Sequence, residues 1–228
     1  SLMSLNLTRF KKAEIIWMAQ HHCDHRHTYI THPECFVKDH PNTRRTGYLD
    51  IESSNLQADF GIVLSWGIKK DGVDEILHDV LTEKDIKTCK RGQEDYRVVT
   101  NCVDALNEFD TIITHYGDSW RFDVPFLRTR AVSMGIPFPG YGSIVQRDTY
   151  PILKAKFRLS RNRQETAVRE LVGETEKNHI VGWRWRAAVR GDKESLEYVL
   201  DHNMRDVRDL ERLWKTINNF SAQRATSI

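Results

Sequence analysis

The stretch Tyr48-Leu49-Asp50-Ile51-Glu52-Ser53 decides how this chain folds. Polar and aliphatic residues alternate through it, which predicts a strand with Tyr48, Asp50 and Glu52 on one face. The two carboxylates would then stand about 7 Å apart at their Cα atoms. Like charges this close are costly on a buried face unless a cation compensates them. A solvent-exposed polar face is the alternative, and the stretch alone leaves both open.

The flanking sequence predicts a mixed α/β domain. Residues 60–69 and 74–80 are rich in apolar and β-branched side chains, so we expect them to form an antiparallel meander with the first strand. Residues 94–109 carry apolar side chains at helical spacing, and residues 111–116 are a short apolar run. A helix followed by a strand is the crossover unit of an α/β sheet. The expected fold is a mixed central sheet flanked by helices.

The second half of the chain is predicted to be mainly helical. Residues 122–134 predict a helix closed by Gly135, and residues 143–149 predict a further strand. The last helix, residues 193–218, carries an apolar stripe with Asp206 on its edge. A surface aspartate would favour the open face of such a helix, so Asp206 is a candidate site residue.

The composition is that of a globular protein. Of 228 residues, 39% are hydrophobic and 29% are charged, which excludes a disordered chain. No apolar run approaches the ~20 residues of a membrane helix, and the first twenty residues lack a signal-peptide core. We therefore expect a cytoplasmic protein with no membrane partner.

Charge is distributed unevenly along the chain. The net charge is only +2, yet residues 147–190 hold eleven Lys and Arg against five Asp and Glu. Such a surplus could steer a polyanion toward an acidic site. A set of solvated helices accounts for the surplus equally well.

Four carboxylates are candidates for a two-metal centre, which hydrolyses a phosphodiester with two cations held about 4 Å apart. Asp50 and Glu52 share a strand, Asp123 stands at a strand-to-helix junction, and Asp206 lies on a late helix. Taken singly, Asp123 could be a helix N-cap and Asp206 an exposed helix residue. Their order along the chain favours one common site.

Three motifs in this order resemble those of a known family. Residues 48–53 look like the first exonuclease motif of the DEDD superfamily, the DnaQ-like exonucleases of the ribonuclease H-like fold. Phe122-Asp123-Val124-Pro125-Phe126-Leu127 resembles the second motif, and His202-Asn203-Met204-Arg205-Asp206-Val207 resembles the third. Thr114-His115-Tyr116-Gly117 and Ser160-Arg161-Asn162-Arg163-Gln164-Glu165 make the chain most similar to the YprB-type ribonuclease H-like branch.

This resemblance covers residues 46–218 and implies a ribonuclease H-like fold that binds two Mg²⁺ or Mn²⁺ ions. The implied enzyme is a 3′→5′ exonuclease acting on DNA or RNA at a single-stranded or frayed 3′ end. One alternative is a structure-specific endonuclease, because some members of this fold cut internally. The other is a non-catalytic nucleic-acid-binding module, although acidic residues facing a polyanion argue against it. The implied metal ligands are Asp50, Glu52, Asp123 and Asp206.

The third motif departs from the family pattern. In most members either a Tyr is separated from the Asp by three residues, or a His is separated from it by four. Here three residues separate His202 from Asp206, so both can lie on one face of a helix, one turn apart. An imidazole, with an ordinary pKa of about 6.5, can accept a proton from attacking water. We predict that His202 is the general base; a residue that orients water or contacts substrate is the alternative.

Substrate contacts are predicted from residue type. Guanidinium groups bind phosphates in a bidentate manner, and aromatic rings stack on unpaired bases. Most aromatic residues at helix and strand positions are nevertheless part of a core. The candidates for phosphate contact are Arg128, Arg130, Arg161 and Arg163, and those for stacking are Tyr116, Trp120, Trp183 and Trp185.

The N-terminal segment concentrates histidine and cysteine. Residues 23–35 read Cys-Asp-His-Arg-His-Thr-Tyr-Ile-Thr-His-Pro-Glu-Cys, which could supply two sulfur and two nitrogen ligands to a structural zinc ion. In a reducing compartment, cysteines are expected as thiols or metal ligands. A polar loop with ordinary cysteines is the alternative. The candidate ligands are Cys23, either His25 or His27, His32 and Cys35.

These patterns divide the chain into three parts. Residues 1–45 are a His/Cys-rich appendage, residues 46–220 are the ribonuclease H-like exonuclease domain, and residues 221–228 are a tail.

Overall fold

A computed structural model describes residues 10, 12–40, 45–117, 121–175, 181–221 and 226–227. The helices are α1 (Lys12–Gln20), α2 (Pro33–Asp39), α3 (Glu83–Thr88), α4 (Tyr96–Leu106), α5 (Asp123–Ser133), α6 (Thr149–Lys156), α7 (Gln164–Leu171), α8 (Gly182–Ala188) and α9 (Lys193–Ile217), followed by a 3₁₀ turn at Asn218–Phe220. The strands are β1 (Thr46–Ser53), β2 (Val63–Lys70), β3 (Ile76–Val80), β4 (Thr111–Thr114), β5 (Val145–Asp148) and β6 (Thr226–Ser227). None of the helices in these ranges is long and apolar enough to cross a membrane.

The strands form one mixed sheet in the order β3-β2-β1-β4-β5-β6. β1, β2 and β3 are the predicted antiparallel meander, with Asp50 opposite Gly67. β4 and β5 run parallel to β1, and the short β6 runs antiparallel to β5. The predicted mixed sheet flanked by helices is therefore confirmed. Its edge strand β6 comes from the segment that the sequence pattern assigned to a tail.

The two faces of β1 pack against different helices. Leu49 and Ile51 belong to the main hydrophobic core, together with apolar residues of α4 and α5. Tyr48 is on the other face and packs with Leu210 of α9. Because side chains alternate along a strand, the two carboxylates of β1 share the face of Tyr48. They are therefore directed toward α9.

β1 continues beyond its pairing with β4. Their parallel pairing runs from Thr46 opposite Thr111 to Tyr48 opposite Ile113. The second half of β1 extends beyond this pairing, and α5 starts beside it. Open α/β sheets place ligands outside the carboxyl ends of their parallel strands, and this part of β1 lies there.

Some elements differ from the sequence-based prediction. β2 begins at Val63 instead of residue 60, because Phe60 lies in a turn and is 81% exposed. The helices α1, α2 and α3 were not predicted. α3 has a clear local signal, a capping box in which Thr82 and Asp85 bond each other's backbone N–H groups.

Candidate metal and active site

Three of the predicted site residues meet between β1 and α9. His202 is 2% exposed, and its Nε2 lies 3.8 Å from Glu52 Oε1 and 3.7 Å from Asp206 Oδ2. One ligand atom from each residue lies within 4.8 Å of the other two. His202 and Asp206 are four residues apart on a helix, so they project from the same face. This is the first half of the predicted centre.

Asp50 is tied to the same helix by a residue that the sequence analysis did not single out. Asn203 Nδ2 donates to Asp50 Oδ2 at 2.6 Å, and Asn203 is fully buried. Gly67 of β2 allows this approach, because a Cβ at that position would lie 3.2 Å from Asn203 Oδ1. Asn203 thus fixes one carboxylate of β1 against α9. Its position beside His202 in the third motif was the available signal.

Asp123 reaches the centre from α5. Its Oδ1 accepts a hydrogen bond from the backbone N–H of Ile51 at 3.1 Å, on the part of β1 that extends beyond β4. The alternative role as N-cap is not observed, because α5 begins at Asp123 itself with Phe122 at the cap position. The carboxylate is therefore held between the positions of Asp50 and Glu52 along β1.

The electrostatics of Asp123 favour a cation nearby. Burial raises its pKa to about 7, and the negative charges of Asp148 and Asp206 add to the rise, while the Ile51 N–H opposes it. A carboxylate 3% exposed beside two other acids is unfavourable when ionised. A divalent cation would remove that penalty. The oxygen-rich donor set with one imidazole fits Mg²⁺ or Mn²⁺.

A further buried aspartate organises the loop beside Asp123. Asp148, at the end of β5, accepts hydrogen bonds from Gly117 N at 2.7 Å, Tyr116 N at 3.1 Å and Thr114 Oγ1 at 3.0 Å. Gly117 lies so close to Asp123 that a Cβ on it would be 2.1 Å from Asp123 Oδ2. The sequence analysis missed Asp148, whose role depends on contacts with a strand more than thirty residues away.

The structure separates the predicted phosphate contacts. Arg161 and Arg163 are exposed just before α7, and the adjacent Gln164 donates from Nε2 to the backbone oxygen of Asp206 at 2.8 Å. That bond places the two arginines beside α9. Arg130 is instead 8% exposed and bonds Asp95 through two nitrogens, at 3.0 and 2.6 Å. The guanidinium of Arg130 is therefore held in an internal ion pair with Asp95, which argues against its predicted contact with phosphate.

The remaining phosphate and stacking candidates also divide. Arg128 is partly buried, with its guanidinium 5.6 Å from the centre of the Phe138 ring. Tyr116 is 49% exposed with a positive φ of 61°, and Trp183 is 56% exposed. Trp185 donates to the backbone oxygen of Ser53 at 3.1 Å and packs edge-on against His202, which makes it a supporting residue. Trp120 lies outside the described residues.

A second group of predicted ligands comes together near the N-terminus. Cys23, His25, His32 and Cys35 present four ligand atoms that all lie within 4.8 Å of one another. His27 stacks edge-on against His32 but is not part of that group.

A sequence profile of the RNase_H superfamily matches residues 47–218, from β1 through α9. The chain belongs to the RNase H superfamily. The observed mixed sheet agrees with the fold of this superfamily. Membership indicates a nuclease that acts on nucleic acid and uses divalent metals. No curated protein matches the chain significantly.

Proposed function

We propose that this RNase H-like protein is a 3′→5′ exonuclease that hydrolyses DNA or RNA with two Mg²⁺ or Mn²⁺ ions held by Asp50, Glu52, Asp123 and Asp206. The observation that carries the proposal is the meeting of Glu52, His202 and Asp206 at the end of β1, with all three ligand atoms within 4.8 Å. Asp50 and Asp123 flank this group through Asn203 and Ile51.

The four carboxylates come from three elements, β1, α5 and α9, and this arrangement supports two adjacent cation positions. A single cation needs few anionic ligands, whereas four converging carboxylates would repel each other strongly without a matching positive charge. When bound, such ions supply Lewis-acid stabilisation of the charge that develops on the phosphate oxygens. The protein contributes the fixed geometry.

In the proposed mechanism His202 accepts the proton of the attacking water. Its Nε2 lies within 4 Å of a carboxylate oxygen of Glu52 and of Asp206, so the imidazole is within reach of water at the proposed centre. The edge-on contact with Trp185 limits movement of the imidazole ring. His202 therefore lies next to two of the carboxylates that would hold the ions.

Substrate groups beside the carboxylates suit a single-stranded end. Tyr116 precedes Gly117, which contacts Asp123, and its exposed ring could stack on the terminal base. Arg161 and Arg163 could bind phosphates upstream of the scissile bond. Neither contact reads a base edge, so we expect little sequence specificity.

The test is Mn²⁺-dependent degradation of a 5′-labelled single-stranded DNA and of the matching RNA. We expect a ladder that shortens from the 3′ end, and loss of at least about a thousandfold in rate for Asp50→Asn. Asp201→Asn is the matched control, because this carboxylate is 53% exposed on α9, where it pairs with Arg205, and should keep full activity.

Other results would revise the proposal in defined ways. Internal cuts in a circular strand would replace the exonuclease with an endonuclease on the same centre. Binding without degradation, unchanged in Asp50→Asn, would leave a nucleic-acid-binding module.

The role of His202 is tested with His202→Ala across a range of Mn²⁺ concentrations. Loss of a general base lowers kcat by about 100-fold or more, and extra metal does not restore it. If instead high Mn²⁺ restores the rate, His202 is a metal ligand and not the base.

A further inference from the structure

The Cys/His cluster of residues 23–35 has the dimensions of a metal site, and nothing in the nuclease chemistry uses it. Cys23 Sγ lies 3.9 Å from His25 Nδ1 and 3.6 Å from His32 Nδ1, and His25 Nδ1 lies 3.2 Å from Cys35 Sγ. With Zn–S bonds of about 2.3 Å and Zn–N bonds of about 2.0–2.1 Å, a tetrahedral ion separates sulfur and nitrogen ligands by about 3.6 Å. The three distances bracket that value.

The local backbone presents these ligands from two short features. Cys23 and His25 lie in a tight turn closed by Arg26 N bonding Cys23 O at 2.8 Å and Cys23 N bonding His27 O at 2.9 Å. Arg26 adopts a positive φ of 63° there, a conformation that costs a non-glycine residue free energy and needs support from its surroundings. His32 and Cys35 come from the start of α2. Two pairs of ligands on two turns are a common zinc arrangement.

The hydrophobic cluster around these residues is small. Among the side chains that the structure describes, its buried members are Met18, Cys23, Tyr29, Cys35 and Phe36, so two of these five are the candidate ligands themselves. A cluster of this size supplies little free energy to order some thirty residues, and small units of this kind are usually stabilised by a disulfide or a metal. All four cysteines are free thiols in the structure. A metal is therefore the device that the observed geometry fits.

We propose that Cys23, His25, His32 and Cys35 bind one structural zinc ion that holds residues 12–40 in their fold. The two thiolates select zinc over the harder magnesium, and two neutral imidazoles leave the centre without net charge. The geometry selects His25 over His27, a choice that the sequence leaves open. Four protein ligands fill the tetrahedral shell, so the role is structural and the carboxylate centre keeps the chemistry.

The experiment measures zinc in the untagged full chain, purified under reducing conditions in magnesium-free buffer, by elemental analysis. We expect about one zinc per chain in the parent protein. His25→Ala should weaken zinc binding by at least about tenfold. His27→Ala is the matched control, because it removes a neighbouring imidazole and should leave the affinity within about twofold.

A cobalt-loaded sample of the parent protein adds a readout that does not need a folded variant. Thiolate coordination of Co²⁺ gives an intense ligand-to-metal absorption band, which two-cysteine ligation predicts and carboxylate ligation does not. The proposal is overturned if the parent chain holds no zinc and its cobalt form lacks that band. Equal zinc affinity in His25→Ala and His27→Ala, or a Cys23–Cys35 disulfide found in place of the metal, would overturn it as well.

Discussion

Two proposed metal centres assemble their ligands in opposite ways. They are the carboxylate centre (Asp50, Glu52, Asp123 and Asp206) and the Cys/His centre (Cys23, His25, His32 and Cys35). Glu52 and His202 are 150 positions apart in sequence and meet only because β1 and α9 pack in one domain. Cys23 and Cys35 lie within thirteen consecutive residues, around a cluster of five buried side chains. Packing of the domain assembles the carboxylate centre, whereas the proposed zinc centre would stabilise the segment that carries its ligands.

This difference indicates what a bound ion contributes in each place. The large core around β1, α4 and α5 already fixes the carboxylates, so ions bound there are free to act in catalysis. Around Cys23 the proposed zinc ion would supply free energy for folding itself. The donor atoms follow the same division, with exchangeable oxygen ligands in the first centre and thiolates in the second.

The largest expected effect is therefore on folding, from removal of zinc. A zinc-selective chelator should raise amide hydrogen exchange in residues 12–40 by about 100-fold or more, since structural zinc contributes on the order of 10 kcal/mol. Exchange in β1, β2 and α9 should stay unchanged. The measurement is exchange mass spectrometry with and without chelator, and removal of Mg²⁺ is the control. If both regions lose protection together, the two centres are not independent of each other.

The second prediction concerns the carboxylate centre, where one methyl group should lower activity about 100-fold without unfolding the chain. Gly117→Ala would place a Cβ 2.1 Å from Asp123 Oδ2 and 2.8 Å from the Cβ of Thr114, so the carboxylate and its surroundings must move. A displacement of about 1 Å in an active site costs about 100-fold in rate. We expect that loss in kcat/KM in a protein that stays folded at the assay temperature, with a lowered melting temperature because buried Thr114 must also move.

Gly140→Ala is the matched control for the glycine substitution. A Cβ at Gly140 meets nothing within 4 Å, so activity should remain at the parent level. Full activity of Gly117→Ala would mean that the position of Asp123 does not set the rate.

The sequence predicted the parts of the site that depend on local periodicity. Alternation in β1 placed Asp50 and Glu52 on one face, and helical spacing placed His202 beside Asp206. The structure brings all four near one another. The metal-ligand roles of Asp50, Glu52 and Asp206 and the general-base role of His202 stay predictions. The central sheet was predictable for the same reason.

The contacts that the sequence analysis missed depend on long-range packing. Arg130 was a candidate for phosphate binding, but it pairs with buried Asp95, 35 positions away, and a residue's type does not reveal its partner. The role of Asp148 depends on the loop after β4 in the same way. The choice between His25 and His27 depends on the turn at Arg26, where a positive φ at a non-glycine residue is hard to foresee.

A third, smaller effect should appear in the pH dependence of stability of the Mg²⁺-free protein. Burial raises the pKa of Asp123 to about 7 from an ordinary 3.8, so between these values the folded state holds a proton that the unfolded state has released. Stability should therefore fall as pH rises from about 4 to about 7, by at most ~1.4 kcal/mol per pH unit.

Asp123→Asn isolates that contribution, because the amide does not titrate. As pH rises from 5 to 7, the melting temperature of the parent should fall relative to that of Asp123→Asn. Adding Mg²⁺ should reduce this fall in the parent. Parallel curves for the two proteins would show that Asp123 titrates normally and that a cation is not needed to compensate it.

The smallest expected effect tests whether the basic segment, residues 147–190, binds the substrate phosphates beside the carboxylate centre. Arg163→Ala should raise KM about threefold at low salt with kcat nearly unchanged, because one exposed phosphate contact is worth less than about 1 kcal/mol. The control is Arg169→Ala, an equal charge change on α7, where Arg169 lies 3.7 Å from Glu165. A larger effect for Arg163, shrinking as salt rises, places the phosphates beside Gln164 and hence beside Asp206. Equal effects would reduce the basic segment to general attraction, leaving the carboxylates and their ions as the determinants of where the strand is cut.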